Sequence, residues 1–234
     1  MRKINEKTGQ LTDDGYQFEV SKDPAVNQRR YEALGEVITD QVYDLLVENG
    51  LHKIHVPSDL PEREATFVFT SKPDFSDTRK LLVLIHGSGV VRAGQWSRSL
   101  IINHSLDHGT QIPYIRRAKE LGYEVLITNT NDNYCLVDGR RRSIPGHDSP
   151  QTHATSVWEQ FIKPAEKLES VAIVAHSYGG PVTMDLAQKF PAFFEKNVFA
   201  VGLTDSVHSS RSVPKELIQH LQKVTSERLP RKIK

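Results

Sequence analysis

The chain has 234 residues, 38% of them hydrophobic, with 30 basic against 29 acidic side chains and one cysteine, Cys135. That length and apolar content suffice for one buried core, and charges that nearly cancel exclude a global field drawing the molecule to nucleic acid or to a membrane. A lone cysteine excludes an internal disulfide framework and fits a reducing compartment, and no run of about 18 apolar residues suggests a membrane span or a secretory signal.

In chain order, residues 1–22 are polar and turn-rich, with a weak alternation from Tyr16 to Val20, and predict an N-terminal arm or hairpin. Asp23-Pro24 then reads as an N-cap followed by proline in the first turn. Tyr31, Leu34, Ile38, Val42, Leu45 and Leu46 recur at helical spacing up to Gly50, which predicts a capped amphipathic helix. Residues 51–56 and 65–70 predict short strands joined by a polar loop with Pro57 and Pro61. Leu81 to Ile85 is a fully apolar strand that runs directly into His86-Gly87-Ser88-Gly89.

Residues 94–122 predict helix interrupted at Asp107-His108-Gly109, and residues 124–128 a third core strand. The polar stretch 129–150 predicts a long loop, in which Arg140-Arg141-Arg142 could touch phosphate, although a short charge run is usually solvated surface. Residues 151–167 predict a helix that bends or ends near Pro164. Val171 to Ala175 is a second buried strand, Pro181 opens another helix, residues 197–203 form a last strand, and 213–224 a last helix. Residues 227–234 form a basic tail, so the main domain is expected over 23–226. Apolar strands alternating with helices, without an internal repeat, predict an α/β fold: a doubly wound, mostly parallel sheet with its ligand face at the strand carboxyl ends.

One stretch carries chemistry. Ala175-His176-Ser177-Tyr178-Gly179-Gly180 leaves a buried strand and enters a helix within a few residues, the local pattern of a nucleophile elbow with alanine in place of the first glycine of G-x-S-x-G. Acyl transfer by serine needs an exposed hydroxyl, a base and backbone donors aimed at the oxyanion. Ser177 supplies the hydroxyl. The N–H of Tyr178 and the loop at Gly87 and Ser88 are the candidate oxyanion donors. Asp205, at the end of the last strand, is the candidate acid, and its alternative reading is a turn cap. His208 is the nearest downstream histidine, His220 sits among polar neighbours, and His86, His104, His108, His147, His153 and His176, which precede the acid, leave a rearranged triad open. No His or Cys spacing suggests a metal, and no motif calls for a cofactor.

Several segments resemble one family: residues 30–39, the run from Leu84 to Trp96 containing His86-Gly87-Ser88-Gly89-Val90-Val91-Arg92-Ala93-Gly94-Gln95-Trp96, residues 100–103 with 109–113, the elbow, and Leu203-Thr204-Asp205-Ser206-Val207-His208. They are similar to the argonaute-binding-protein-two family, over roughly residues 4–210. The resemblance implies an α/β-hydrolase-like scaffold in the nucleus and cytoplasm, with argonaute and chromatin-associated proteins as partners, in RNA silencing and alternative splicing. It places Ser177 at the nucleophile position. Relatives carry a longer charged insertion at 129–150 and a further histidine-bearing segment after the last strand, so a C-terminally truncated paralogue is expected. The combined expectation is a regulator without turnover, with a serine hydrolase acting through Ser177, Asp205 and His208 as the alternative. A sheet ending at the last strand would also leave an edge open to pairing with a second copy.

Overall fold

A computed structural model describes residues 21–208. Nearly all of the expected arm, the helix at 213–224, the basic tail and His220 lie outside the described residues. The described residues open with α1 (Pro24–Glu48), whose N-cap Asp23 accepts a hydrogen bond from the Ala25 N–H at 2.9 Å, with Pro24 in the first turn. The helix ends at Asn49, and Gly50 takes φ +72° there, as the sequence predicts for a glycine stop.

β1 (His52–Val56) and β2 (Thr66–Thr70) follow, separated by a single 3₁₀ turn, Glu62–Glu64. β3 (Lys80–Ile85) leads through the glycine loop to three helices, α2 (Arg98–Asn103), α3 (Leu106–Gly109) and α4 (Ile112–Glu120). Then come β4 (Glu124–Ile127), β5 (Tyr134–Val137), β6 (Arg140–Ser143) and α5 (Pro150–Val157), the last continuing into a π-helical turn, Trp158–Ile162. β7 (Ser170–His176), α6 (Gly179–Lys189), α7 (Pro191–Asn197) and β8 (Val198–Thr204) complete the described chain.

Six strands form one sheet in the order β1-β2-β4-β3-β7-β8. β4, β3, β7 and β8 run parallel, while β1 and β2 join antiparallel beside β4. The mostly parallel α/β sheet expected from the sequence is therefore present, and β8 is its outer strand among the described residues.

Strand parity explains why the apolar runs are unbroken. Leu81, Val83 and Ile85 point into one core with Trp158, Phe161, Val182, Leu186 and Phe194. Leu82 and Leu84 point into the other with Ile38, Val42, Leu46, Ile101 and Ile115. Both faces are covered, so every position of β3 after Lys80 must be apolar. Burying each such aliphatic side chain contributes about 1.5–3 kcal/mol.

The loop expected at 129–150 contains a two-stranded hairpin, β5 with β6, in the register Tyr134 with Ser143 and Val137 with Arg140. Asp138 at φ +52° and Gly139 at φ +72° make its turn, with both central residues left-handed as the right-handed twist of a tight hairpin requires.

Candidate functional site

The chain passes from β3 to β4 on one side of β3 and later places β7 on the other, so the sheet order reverses at β3. In doubly wound folds the crevice at the carboxyl ends of the strands flanking such a reversal is the ligand position. His86 to Gly89 follows β3 there, and Ser177 follows β7 one strand away.

Ser177 has φ +51°, a left-handed conformation that costs an L-residue roughly 1–2 kcal/mol. Its neighbours hold it there. The Ser177 N–H donates to the Thr204 carbonyl at 3.0 Å, and the Ser177 carbonyl accepts from the Gly180 N–H at 3.1 Å. Both glycines after the serine are forced by contact. A Cβ on Gly179 would come within 2.6 Å of the Ile85 carbonyl oxygen, and one on Gly180 would collide with the Ser206 side chain. The turn is therefore wedged between the end of β3 and the segment after β8. Gly87 faces it, since a Cβ there would sit 3.0 Å from the Ser177 Cβ.

The β3 side of the site is pinned from beneath. His86 is buried, and its Nδ1 lies 2.8 Å from the Gly87 carbonyl, so Nδ1 carries the proton and donates it. Asn131 reinforces the loop by donating through Nδ2 to the Gly87 carbonyl at 2.9 Å and the Val91 carbonyl at 3.1 Å.

Two further buried histidines support this side. The Asn129 N–H donates to His153 Nε2 at 3.1 Å, so His153 carries its proton on Nδ1 and donates it to His147 Nδ1 at 3.0 Å. Burial pushes His86 and His147 down to about 4, and burial together with His147 pushes His153 well below the ordinary value. All three are neutral at pH 7. The Asn131 contacts and the His147–His153 pair escaped the sequence reading, because no spacing in the chain brings Asn129, Asn131, His147 and His153 under the same loop.

On the β8 side the segment after the strand packs on the turn, and the Val207 N–H donates to the Ser177 carbonyl at 3.4 Å. Asp205 is exposed and has φ +48°. His208 is held by a neighbour, with its Nδ1 2.6 Å from the Ser206 Oγ. His176 turns away from the serine, its Nδ1 lying 3.1 Å from the Thr204 Oγ1 and its ring against Trp96. Ser88 is exposed, and Tyr178 begins α6 with its hydroxyl accepting from Gln151 Nε2 at 3.0 Å. The fold thus brings Ser177, Tyr178 and Gly87 together, leaves Asp205 exposed at the end of β8, and places His208 against Ser206 close to Gly180. Among the described residues no imidazole hydrogen-bonds the Ser177 hydroxyl, and no group of His, Cys, Asp or Glu is placed to hold a metal ion. No described helix is long and apolar enough to cross a membrane.

With this geometry in view, the comparisons with known proteins are informative. The model of the Arb2 domain matches residues 3–226. The chain is 41% identical over 234 aligned positions to the cotranscriptional regulator ARB2A of Mus musculus, covering 78% of this chain and 56% of that one. It therefore spans little more than half the length of that relative. Among solved structures it is similar to a histone deacetylase from Saccharomyces cerevisiae, with TM-score 0.45 and 14% identity over 74% of this chain and 68% of that one. A Pyrobaculum calidifontis esterase gives TM-score 0.41 and 14% identity over 90% and 66%. The match along nearly the whole sequence leads to one assignment: the chain belongs to the Arb2 domain family.

Proposed function

We propose that this chain is a non-catalytic regulator that uses an α/β-hydrolase-like scaffold for protein association, with argonaute and chromatin-associated proteins as partners, in RNA silencing and alternative splicing within the nucleus and cytoplasm. One observation carries the non-catalytic half. The His208 imidazole is committed to Ser206 at 2.6 Å, while among the described residues the Ser177 hydroxyl has no imidazole to take its proton. A serine hydroxyl without a base is a weak nucleophile at neutral pH. The regulatory half is supported by family membership and by the cotranscriptional regulator name that relatives carry. This reading needs no cofactor and no metal.

Affinity purification of the tagged full chain from nuclear and cytoplasmic extracts tests it. The reading expects argonaute or chromatin proteins enriched above a tag-only control, and recovery of neither from both extracts counts against it.

A second reading, a serine hydrolase, is favoured by the strain stored at Ser177 and by the Gly87 loop facing it. In that reading Ser177 attacks an ester, amide or thioester carbonyl. The N–H groups of Tyr178 and Ser88 would receive the oxyanion, and Asp205 and His208 would have to leave their present positions to form a relay.

A further inference from the structure

The β5–β6 hairpin buries little and exposes much. All four residues of β6 are exposed, so this strand is not retained for the core. A two-stranded ribbon is marginal in water unless something holds it, and here the base is clamped. The Asn133 side chain donates to the His147 carbonyl at 2.7 Å, the Ile144 N–H donates to the Asn133 carbonyl at 3.0 Å, and Ile144 itself is buried. Asp132, just before β5, accepts from the Thr66 hydroxyl at 2.9 Å and from Asn129 Nδ2 at 3.3 Å.

The register sorts the side chains by face. Tyr134, Leu136, Arg141 and Ser143 share one face, and Cys135, Val137, Arg140 and Arg142 share the other. The first face is open throughout, with Tyr134 46% and Leu136 70% exposed. On it, the Arg141 guanidinium lies over the Tyr134 ring at 3.8 Å from the centroid. Among the described residues no carboxylate pairs with Arg140, Arg141 or Arg142. The one acidic residue of the hairpin, Asp138, is at its turn.

We propose that this face binds single-stranded nucleic acid. The Arg141 guanidinium, held over the Tyr134 ring, is already partly ordered before any ligand binds. Aromatic ring and guanidinium are both groups on which a base can stack, and the guanidinium N–H groups can reach phosphate oxygens. Leu136 extends the apolar platform by one residue pair. Arg140 and Arg142 alternate to the other side of the same strand and line its edge with charge that a sugar-phosphate backbone neutralises. An acidic peptide would satisfy the charges and leave the stacked ring pair and Leu136 without a planar partner, so a nucleic acid strand fits the whole face better. The near-neutral net charge of the chain gives this local concentration of arginine no global counterpart.

The test is fluorescence anisotropy with the full chain, using a labelled mixed-sequence RNA 12-mer and, separately, a labelled poly-glutamate peptide. Binding of the RNA should weaken about tenfold in Arg141→Ala and Tyr134→Ala, while Tyr134→Phe stays within about twofold of wild type. Replacing Arg140 and Arg142 by Ala should lower the slope of log affinity against log salt by about 0.7 for each phosphate contact removed. Circular dichroism and melting of each variant identify a lost fold, and Tyr134→Phe with the salt slope keeps the proposal testable should Tyr134→Ala unfold. RNA binding that is absent at low salt, or unchanged in folded hairpin variants, overturns the proposal. So does poly-glutamate binding as tight as RNA binding and insensitive to Tyr134, which would point to an acidic protein partner.

Discussion

The two sides of Ser177 are built differently. On the β3 side the Gly87 loop is gripped by His86 and Asn131 over a floor of buried histidines, and Gly179 lies against the Ile85 carbonyl with no room for a methyl group. On the β8 side Asp205 is exposed, and His208 bonds to Ser206 two residues away. The half of an acyl-transfer site that depends on backbone shape is over-determined by packing. The half that depends on two side chains meeting in space rests on a segment that packs against the turn, where His208 bonds to Ser206 and not to Ser177. Shape is shared with the core and is costly to lose. A relay of side chains at the surface can be dismantled without disturbing the fold.

The largest effect should come from breaking the pinned side. Gly179→Val places a branched side chain against the Ile85 carbonyl and should cost roughly 3 kcal/mol or more, or abolish folding, as read by urea unfolding. Acid should act on the same side. The folded-state pKa of His86 lies at about 4, below the unfolded value of about 6.5, so the unfolded chain binds the proton first. Its stabilising contribution is complete above about pH 6.5 and is lost as the pH falls towards 4. The slope is about 1.4 kcal/mol per pH unit for that one group. His86→Gln, if it folds, should flatten this part of the curve, and an unchanged slope would show that His86 is not what acid attacks.

Smaller effects belong to the elbow and the β8 side. Ser177→Gly removes the left-handed strain and should stabilise the protein by about 0.5–1 kcal/mol, the opposite sign from an ordinary serine-to-glycine change. A destabilisation of that size would mean that the Ser177 side chain contributes more than its conformation costs. Asp205→Asn should change stability by less than about 0.5 kcal/mol, because the carboxylate is exposed and asparagine tolerates the same φ.

How much of this was readable beforehand follows the same division. β3 was legible because a strand buried on both faces must be continuously apolar, β7 because its half-buried second face is apolar as well, and α1 because its stripe and its Asp23-Pro24 cap agree. The elbow was legible because a buried strand runs into Ser177 and two glycines follow within three residues, beside a glycine loop at the end of a neighbouring strand. The hairpin was not, since Arg140 to Ser143 buries nothing and so leaves no hydrophobic pattern. The signal that could have found it is Asp138-Gly139 set between two four-residue runs. The π-helical turn at Trp158 lay hidden inside an expected helix, because Trp158, Phe161 and Ile162 are apolar at a spacing either geometry accepts. His147 beside His153 is a product of the fold and has no trace in spacing.

The most direct test of the central claim is labelling of Ser177 by a fluorophosphonate in the folded full chain, compared with Ser177→Ala and with a serine hydrolase as positive control. A serine with no imidazole bonded to it among the described residues predicts labelling no faster than that of Ser177→Ala across pH 6 to about 9, with circular dichroism confirming the fold. Stoichiometric labelling of the wild type that Ser177→Ala abolishes would contradict it, and would place a working base beside Ser177.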